Sequence, residues 1–199
     1  MNLVKTLVAA AVLVGAGASH AAVFSDNFDT YAVDQLNWVA QGGWTVAGGT
    51  VDIIGAGGGW DFFAGVGGKF VDLDGSSVQP GTMSHDVALT GGVAYIASFD
   101  LAGSQRAGYD SGNTVAVAFG GASQNFTLAT FDPFQTFSLS FTPTTTGIYA
   151  LSFFNQGRDN VGALLDDVQI AAVPEPESVA LMLTGLAALG FVARWRQAR

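Results

Sequence analysis

Cysteine is absent from the chain of 199 residues, which excludes disulfide bonds, thiolate metal sites and a cysteine nucleophile. Basic residues are scarce, because seven Lys and Arg stand against 16 Asp and Glu, for a net charge of −9. This balance argues against nucleic-acid binding, which needs basic patches to neutralise phosphates. Hydrophobic residues make up 49% of the chain and charged residues 12%. The composition therefore favours a folded protein over a disordered polyanion, and the length suits one ordinary domain.

The first 21 residues have the pattern of a secretory signal peptide. Lys5 supplies a positive charge, an apolar stretch covers residues 7–18, and Ser19 and Ala21 place small side chains before a cleavage site. We therefore predict that residues 1–21 direct export and are removed after Ala21. A retained anchor helix is the alternative, but the apolar stretch is short and rich in Gly and Ala.

The other end of the chain combines three features in a fixed order. Pro174, Glu175 and Pro176 come first, and two prolines this close keep the backbone extended. An uncharged run of 15 residues follows at 179–193, and three arginines lie among the last six residues. Arginine collects on the cytoplasmic side of membrane helices, although a comfortable span takes about 20 apolar residues. This order predicts a short C-terminal transmembrane helix with an Arg-rich tail.

Residues 173–199 resemble the PEP-CTERM sorting signal, which has the same motif, helix and basic tail. The resemblance implies recognition by an exosortase, an integral-membrane cysteine transpeptidase, and cleavage near Pro174, Glu175 and Pro176. It also implies an exported protein of a Gram-negative bacterium that makes exopolysaccharide. Such a protein is held transiently in the inner membrane and then reaches the cell surface or the extracellular matrix. A plain C-terminal membrane anchor is the alternative.

Residues 22–172 form an acidic, glycine-rich segment between these two ends. It holds fourteen aspartates, no glutamate and three basic residues besides His85, for a net charge of −11. Short runs with β-branched or aromatic residues at alternate positions are separated by Gly, Asp, Asn and Pro. This pattern predicts an all-β domain, an antiparallel β-sandwich. The predicted strands cover residues 44–46, 50–54, 70–73, 83–89, 93–99, 114–119, 125–130, 136–141, 148–154 and 164–170.

Short motifs within the domain add a second resemblance. They are Asn-Phe-Asp at 27–29, a tryptophan after it at position 38 or 44, and a last strand with two aspartates at 165–170. The segment 68–75 also has the form of a strand and turn common in exported sandwich domains. Together they resemble the galactose-binding-like jelly roll of many carbohydrate-binding modules, which implies a jelly-roll topology. A different β-sandwich is the alternative.

Catalytic residues are few. After export His85 is the remaining histidine, and its neighbours Ser84 and Asp86 would point to the opposite face of a strand, so the three cannot form a triad. Paired aspartates hydrolyse glycosides in other proteins, but the spacing of the aspartates selects no pair here. We therefore expect a protein that is not an enzyme.

Calcium is a better match to the aspartates, because it prefers several oxygen ligands. Strict alternation in the last strand puts Asp166 on the same inward face as Val168 and Ile170. A buried carboxylate must be paired, hydrogen-bonded or bound to a metal. In sugar-binding jelly rolls the matching acids hold a structural calcium, so the resemblance makes Asp29 and Asp166 the candidate ligands. The alternative is that Asp166 accepts hydrogen bonds from nearby amides or pairs with Arg158.

Sugar binding needs an aromatic surface that stacks on C–H faces and polar side chains that bond to hydroxyls. Trp60 lies in a stretch with seven glycines at 55–68, which predicts a long loop and an exposed indole, since glycine-rich chain packs poorly as a core strand. The candidate ligand-binding residues are Trp60, Asp61, Arg106, Tyr109, Asn155 and Arg158.

These patterns together predict an exported, exosortase-sorted protein whose β-sandwich binds carbohydrate and associates with exopolysaccharide or a surface glycan. A purely structural or adhesive envelope protein without a specific ligand is the first alternative. An exported hydrolase that uses aspartates is the second.

Overall fold

The computed structural model of the chain describes residues 22–63, 68–77, 79–108, 113–173 and 176–197. The predicted signal peptide, Tyr109, Pro174 and Glu175 lie outside the described residues. The described elements are β1 (Ala22–Asp26), β2 (Trp44–Ala47), β3 (Asp52–Gly55), β4 (Lys69–Asp72), β5 (Thr82–Leu89), β6 (Tyr95–Ala102), β7 (Thr114–Phe119), β8 (Ala122–Thr127), β9 (Gln135–Phe141), β10 (Gly147–Asn155), β11 (Leu164–Ala172) and α1 (Pro176–Gln197).

The strands form two antiparallel sheets. The first has the order β3-β4-β11-β6-β9 with β1 paired to β11, and the second has the order β2-β5-β10-β7-β8. Phe99 of the first sheet and Phe153 of the second are fully buried and meet edge to face, with ring centroids 5.1 Å apart. The two sheets therefore pack face to face over a shared core, which confirms the predicted antiparallel β-sandwich.

Each of the ten predicted strands is present, with ends that differ by a few residues. β1, which has five residues, was not among the predicted strands. Its sequence, Ala-Val-Phe-Ser-Asp, does not alternate between apolar and polar residues, and its pairing with β11 supplies the hydrogen bonds that order it.

A β-bulge interrupts β11 and corrects one prediction. The register with β6 shifts between Asp166 and Gln169, and Asp167 has a positive φ of 46°. The extra residue resets the alternation of side chains. Val168 therefore faces the main core, whereas Asp166 is half-buried and pairs with Asp100 on the outer side of the first sheet. Asp166 does not share the inward face of Val168, as strict alternation had predicted.

A satellite cluster covers part of the outer face of the first sheet. Its buried members come from four strands of that sheet, and phenylalanines of two loops pack against them. The members are Ile54, Phe70, Ala102 and Leu164, with Phe62, Phe63 and Phe134. The glycine-rich segment contains no strand between β3 and Phe63, so this part is a loop, held to the sheet by its two phenylalanines.

The two ends of β11 define the two ends of the sandwich. Leu164 pairs with Asp72 and Ala102, whereas Ala172 pairs with Tyr95. Because Ala22 pairs with Ala171 next to Ala172, both termini of the domain leave from one end. We call this the terminal end, and the opposite end, formed by the loops after β6 and before β11, the distal end. Nine residues of strand separate the two ends by about 27 Å.

The C-terminal helix begins almost directly after the sheet. The amide of Val173 still donates to the carbonyl of Ala94 at 2.8 Å, and α1 begins at Pro176. Within the described residues, no helix is long and apolar enough to cross a membrane. The predicted transmembrane helix is therefore wrong. The uncharged run has 15 residues, whereas a membrane span needs about 20 apolar residues, and the basic side chains of Arg194 and Arg196 occupy the last turn.

Candidate functional site

A small cleft at the distal end brings together two residues that the sequence predicted separately. Trp60 and Arg106 both line it, and its volume is about 80 Å³. Trp60 is 40% exposed, whereas Trp38 and Trp44 are each 4% exposed in the main core. The full lining of this cleft, which we call the Trp60 cleft, is Leu36, Asp52, Ile54, Trp60, Asp72, Ser76, Arg106 and Asn160.

Arg106 is held in place from three sides. One guanidinium nitrogen, Nη2, lies 2.5 Å from Oδ2 of Asp72, and Nη1 donates to the carbonyl of Asn160 at 3.0 Å. The guanidinium also lies over the ring of Phe62, 4.8 Å from its centroid. Within the described residues the buried Nε has no hydrogen-bond partner. Arg106 therefore presents a fixed cation with one donor unused, rather than a mobile surface charge.

Asp72 forms the buried floor of the cleft. Its Oδ1 accepts hydrogen bonds from the amides of Asp74 at 3.0 Å and Gly162 at 2.9 Å. Burial raises the pKa of Asp72 from 3.8 to about 7, although the Arg106 guanidinium and the two amides act in the opposite direction. Desolvation thus outweighs the ion pair in setting the proton affinity of this carboxyl.

Asp52 is a second buried carboxylate, and its oxygens already accept hydrogen bonds from other parts of the chain. It accepts hydrogen bonds from the amide of Asn37 at 2.6 Å and from the amide and hydroxyl of Ser76 at 3.2 and 2.6 Å. The cleft therefore offers ligands an indole surface and polar groups held by neighbours. This combination suits a group that carries both C–H surface and hydroxyls.

Three further predicted ligand residues that the structure describes do not line the Trp60 cleft. Asp61 is half-buried beside Trp60, and Arg158 is exposed in the loop before β11. Asn155 is fully buried, and its Oδ1 accepts a hydrogen bond from the amide of Ala163 at 3.3 Å. The structure therefore corrects the prediction for Asn155, because its side chain binds the backbone inside the core and does not face solvent.

The cleft also contains residues that the sequence analysis did not select for ligand binding. Leu36, Ser76 and Asn160 come from three separate loops. No local pattern marks them, because tertiary structure alone brings them together. Asp72 belongs to the segment 68–75, which was predicted only as a strand and turn.

The two predicted calcium ligands lie close together around Gly68. A β-carbon added to Gly68 would stand 3.4 Å from Oδ1 of Asp29 and 4.0 Å from Oδ2 of Asp166. Burial raises the pKa of Asp166 to about 7, and the carboxylates of Asp167, Asp29 and Asp100 add to this shift. Four aspartates thus repel one another at the point where the first and last strands meet.

The donor atoms at this place are carboxylate and carbonyl oxygens, the type that calcium prefers. The carbonyl of Asp29 accepts a hydrogen bond from Nζ of Lys69, and Asp166 accepts one from the amide of Asp167 at 2.7 Å. The amide contact matches one alternative for Asp166, whereas no ion pair with Arg158 occurs among the described residues. Among the residues that the structure describes, no group of three or more His, Cys, Asp or Glu side chains is placed to hold a metal ion.

Comparison with known protein families identifies the C-terminal segment. Residues 172–197 match the model of the PEP-CTERM protein-sorting motif, which confirms the resemblance found in the sequence. No curated protein matches the chain.

Comparison with solved structures supports the fold. The K1 cleaved adhesin domain of Lys-gingipain from Porphyromonas gingivalis W83 is 14% identical, with a TM-score of 0.50, over 76% of this chain and 98% of that chain. A family 61 carbohydrate-binding module solved in complex with beta-1,4-galactotriose is 21% identical, with a TM-score of 0.47, over 66% of this chain and 90% of that chain. The CBM22-1–GH10 modules of xylanase 10B from Clostridium thermocellum, complexed with xylohexaose, are 16% identical, with a TM-score of 0.49, over 77% of this chain and 29% of that chain. The TM-score of 0.50 with the adhesin domain indicates a shared fold, and at an identity this low the function must be argued from the site.

Proposed function

We propose that this chain is an exported, exosortase-sorted surface protein that binds a glycan through its distal end and acts by binding, without catalysis. The observation that carries the proposal is the meeting of Trp60 and Arg106 in one cleft, with Trp60 40% exposed. An exposed indole beside a fixed guanidinium offers stacking and hydrogen bonds to a sugar. The sorting motif at 172–197 supports export and processing by an exosortase.

The position of the Trp60 cleft supports the same role. The sorting motif leaves the domain from the terminal end, next to the first strand. The cleft lies at the distal end, where Leu164 pairs with Asp72. A domain tethered by its C-terminal segment would therefore present the cleft away from the tether, toward a surface glycan or exopolysaccharide of the matrix.

The floor of the cleft supports binding over hydrolysis. Glycosidases need one free carboxylate and one carboxylic acid on either side of the scissile bond. Here Asp52 is bonded to Asn37 and Ser76, and Asp72 is bonded to Arg106 and two amides. Both carboxyl groups thus hold the structure together.

We also propose a jelly-roll topology and a structural calcium at Asp29 and Asp166. Bound there, the ion would join the loop after β1 to the bulge of β11. Burial is the main cause of the raised pKa of Asp166, and the ion would relieve the repulsion among the four aspartates that adds to it.

The experiment is a glycan array probed with the purified full-length chain, followed by titration of each glycan that binds. We expect saturable binding to at least one surface polysaccharide, and a loss of about tenfold or more in affinity for Trp60→Ala. Ile148→Ala is the matched control, because Ile148 is 66% exposed on the second sheet. Equal binding by wild type and Trp60→Ala would refute the cleft, and no binding to any glycan would favour a structural or adhesive protein without a specific ligand.

A further inference from the structure

A second and larger cleft runs along the first strand. Its volume is about 710 Å³, within the range of about 300–1,000 Å³ typical of ligand sites. The Trp60 cleft is much smaller, at about 80 Å³, so it encloses less of an oligosaccharide. The lining of the larger cleft, which we call the β1 cleft, is Phe24, Ser25, Asp26, Asn27, Thr30, Tyr31, Gly42, Asp167, Val168 and Gln169.

One carboxylate fixes the aromatic wall of the β1 cleft. Oδ2 of Asp26 accepts hydrogen bonds from the hydroxyl of Tyr31 at 2.6 Å and from the indole of Trp44 at 2.9 Å. Its Oδ1 accepts a third from the amide of Phe28 at 2.9 Å. Because Tyr31 is already held in one orientation, a ligand that packs against its ring would not have to order it.

Three uncharged polar side chains in the β1 cleft are available to a ligand. Ser25, Thr30 and Gln169 line it, and none of the three side chains makes a hydrogen bond to any other described residue. Ser25 and Gln169 are partners across β1 and β11, so their side chains lie next to each other on one face. Hydroxyl and amide groups both donate and accept, as the hydroxyls of a sugar require.

The charges in the β1 cleft select against anions. Within the part of the chain that the structure describes, its lining includes Asp26 and Asp167 and no basic side chain. Asp26 is committed to Tyr31 and Trp44, whereas Asp167 is exposed and lies near the carboxylates of Asp100 and Asp29. A uronate or phosphate group would therefore meet negative charge without a compensating basic side chain, and the calcium proposed above would lie at Asp29 and Asp166, which are not part of this lining.

We infer that the β1 cleft binds a neutral oligosaccharide, which packs against Tyr31 and bonds to Ser25, Thr30 and Gln169. The inference deepens the glycan-binding function proposed above and rests on it for the class of ligand, and it adds to the Trp60 cleft a second, larger binding surface along β1. The ligand class is a neutral hexose or pentose chain, and a chain of uronic acids is excluded by charge.

The test titrates the full-length chain with neutral hexaoses of glucose, xylose, galactose and mannose, and with a hexamer of galacturonic acid. We expect at least one neutral hexaose to bind and the uronate hexamer to bind at least tenfold more weakly. Gln169→Met and the milder Gln169→Asn should lower the affinity for the neutral hexaose by about tenfold or more. Gln124→Met is the matched control, because Gln124 is an exposed glutamine on β8 of the other sheet.

The outcomes separate this inference from the Trp60 cleft. Loss of binding in both Gln169 variants, with Gln124→Met unchanged, supports the β1 cleft. If Trp60→Ala abolishes binding and neither Gln169 variant does, the proposed function stands and the β1 cleft is wrong. If the Gln169 variants abolish binding and Trp60→Ala does not, the β1 cleft stands and the Trp60 cleft is wrong. Failure of every neutral hexaose to bind, or tighter binding of the uronate hexamer, overturns the inference.

Discussion

Arg106 and Asp72 form an ion pair at the floor of the Trp60 cleft, with Nη2 and Oδ2 2.5 Å apart. Asp72 is 2% exposed, so its negative charge has lost nearly all contact with water. The Arg106 guanidinium offsets only part of the free-energy cost of removing this charge from water. Burial therefore still raises the pKa of Asp72 to about 7. The pair joins β4 to the loop after β6 and so fixes the geometry of the cleft.

The raised pKa of Asp72 predicts how stability depends on pH. The folded domain holds the proton with a pKa of about 7, against an ordinary value of 3.8. The stability that this proton contributes is complete below pH 3.8 and is lost as the pH rises through about 7. The raised pKa of Asp166 likewise makes the folded state less stable as the pH rises, whereas the lowered pKa of His85 makes it more stable as the pH rises. We expect a melting temperature several degrees higher at pH 5 than at pH 8.

The control for this prediction is Asp72→Asn. An asparagine keeps an oxygen for the amides of Asp74 and Gly162 but cannot titrate, so the difference between pH 5 and pH 8 should shrink. About 1 kcal/mol moves the melting temperature by about 2–4 °C in a chain of this size, which calorimetry resolves. An unchanged pH profile in Asp72→Asn would show that Asp72 is ionised throughout.

Trp60→Ala should leave stability nearly intact, because the indole is 40% exposed and its removal opens no closed cavity. We expect a loss below about 1 kcal/mol in a denaturant melt. The comparison is Trp38→Ala, where the side chain is 4% exposed and truncation should cost roughly 3–5 kcal/mol. A loss for Trp60→Ala close to that of Trp38→Ala would make Trp60 a core residue.

Calcium should raise the melting temperature if Asp29 and Asp166 share an ion. A ligand at one hundred times its dissociation constant stabilises the folded state by about 2.7 kcal/mol, and a chelator should remove this gain. Asp166→Asn should abolish most of the response, whereas Asp86→Asn, at an exposed position of β5, should retain it. Equal melting temperatures with calcium and with chelator would exclude the site.

Replacing Pro174 and Pro176 by Ala should block processing in a host that has an exosortase. Proline fixes its own backbone and restrains the residue before it, so the double change removes this restraint from the motif at the start of α1, which begins at Pro176. Immunoblots of cells and medium should show uncut chain retained by the cells. Release of the double variant at the wild-type rate would contradict recognition by this motif.

The sequence by itself determined the sandwich and the sorting segment. Alternation of apolar and polar residues is a local property, so it located ten strands without any knowledge of their partners. The motif at 172–197 is also local, because its prolines, apolar run and arginines act within one continuous stretch. The glycine-rich context of Trp60 was enough to predict an exposed indole.

Only the tertiary structure decided which side of the sheet each aspartate faces and which residues share a cleft. The bulge at Asp167 moved Asp166 to the outer face, and no local pattern marks a bulge because it depends on the partner strand. The side chain of Asn155 is buried because the amide of Ala163 donates a hydrogen bond to it inside the core. Trp60 and Arg106 lie in one cleft because the two loops that carry them end at the same end of β11. The order of strands in the sheet brings these loops together, and the alternation of residues within each strand does not reveal that order.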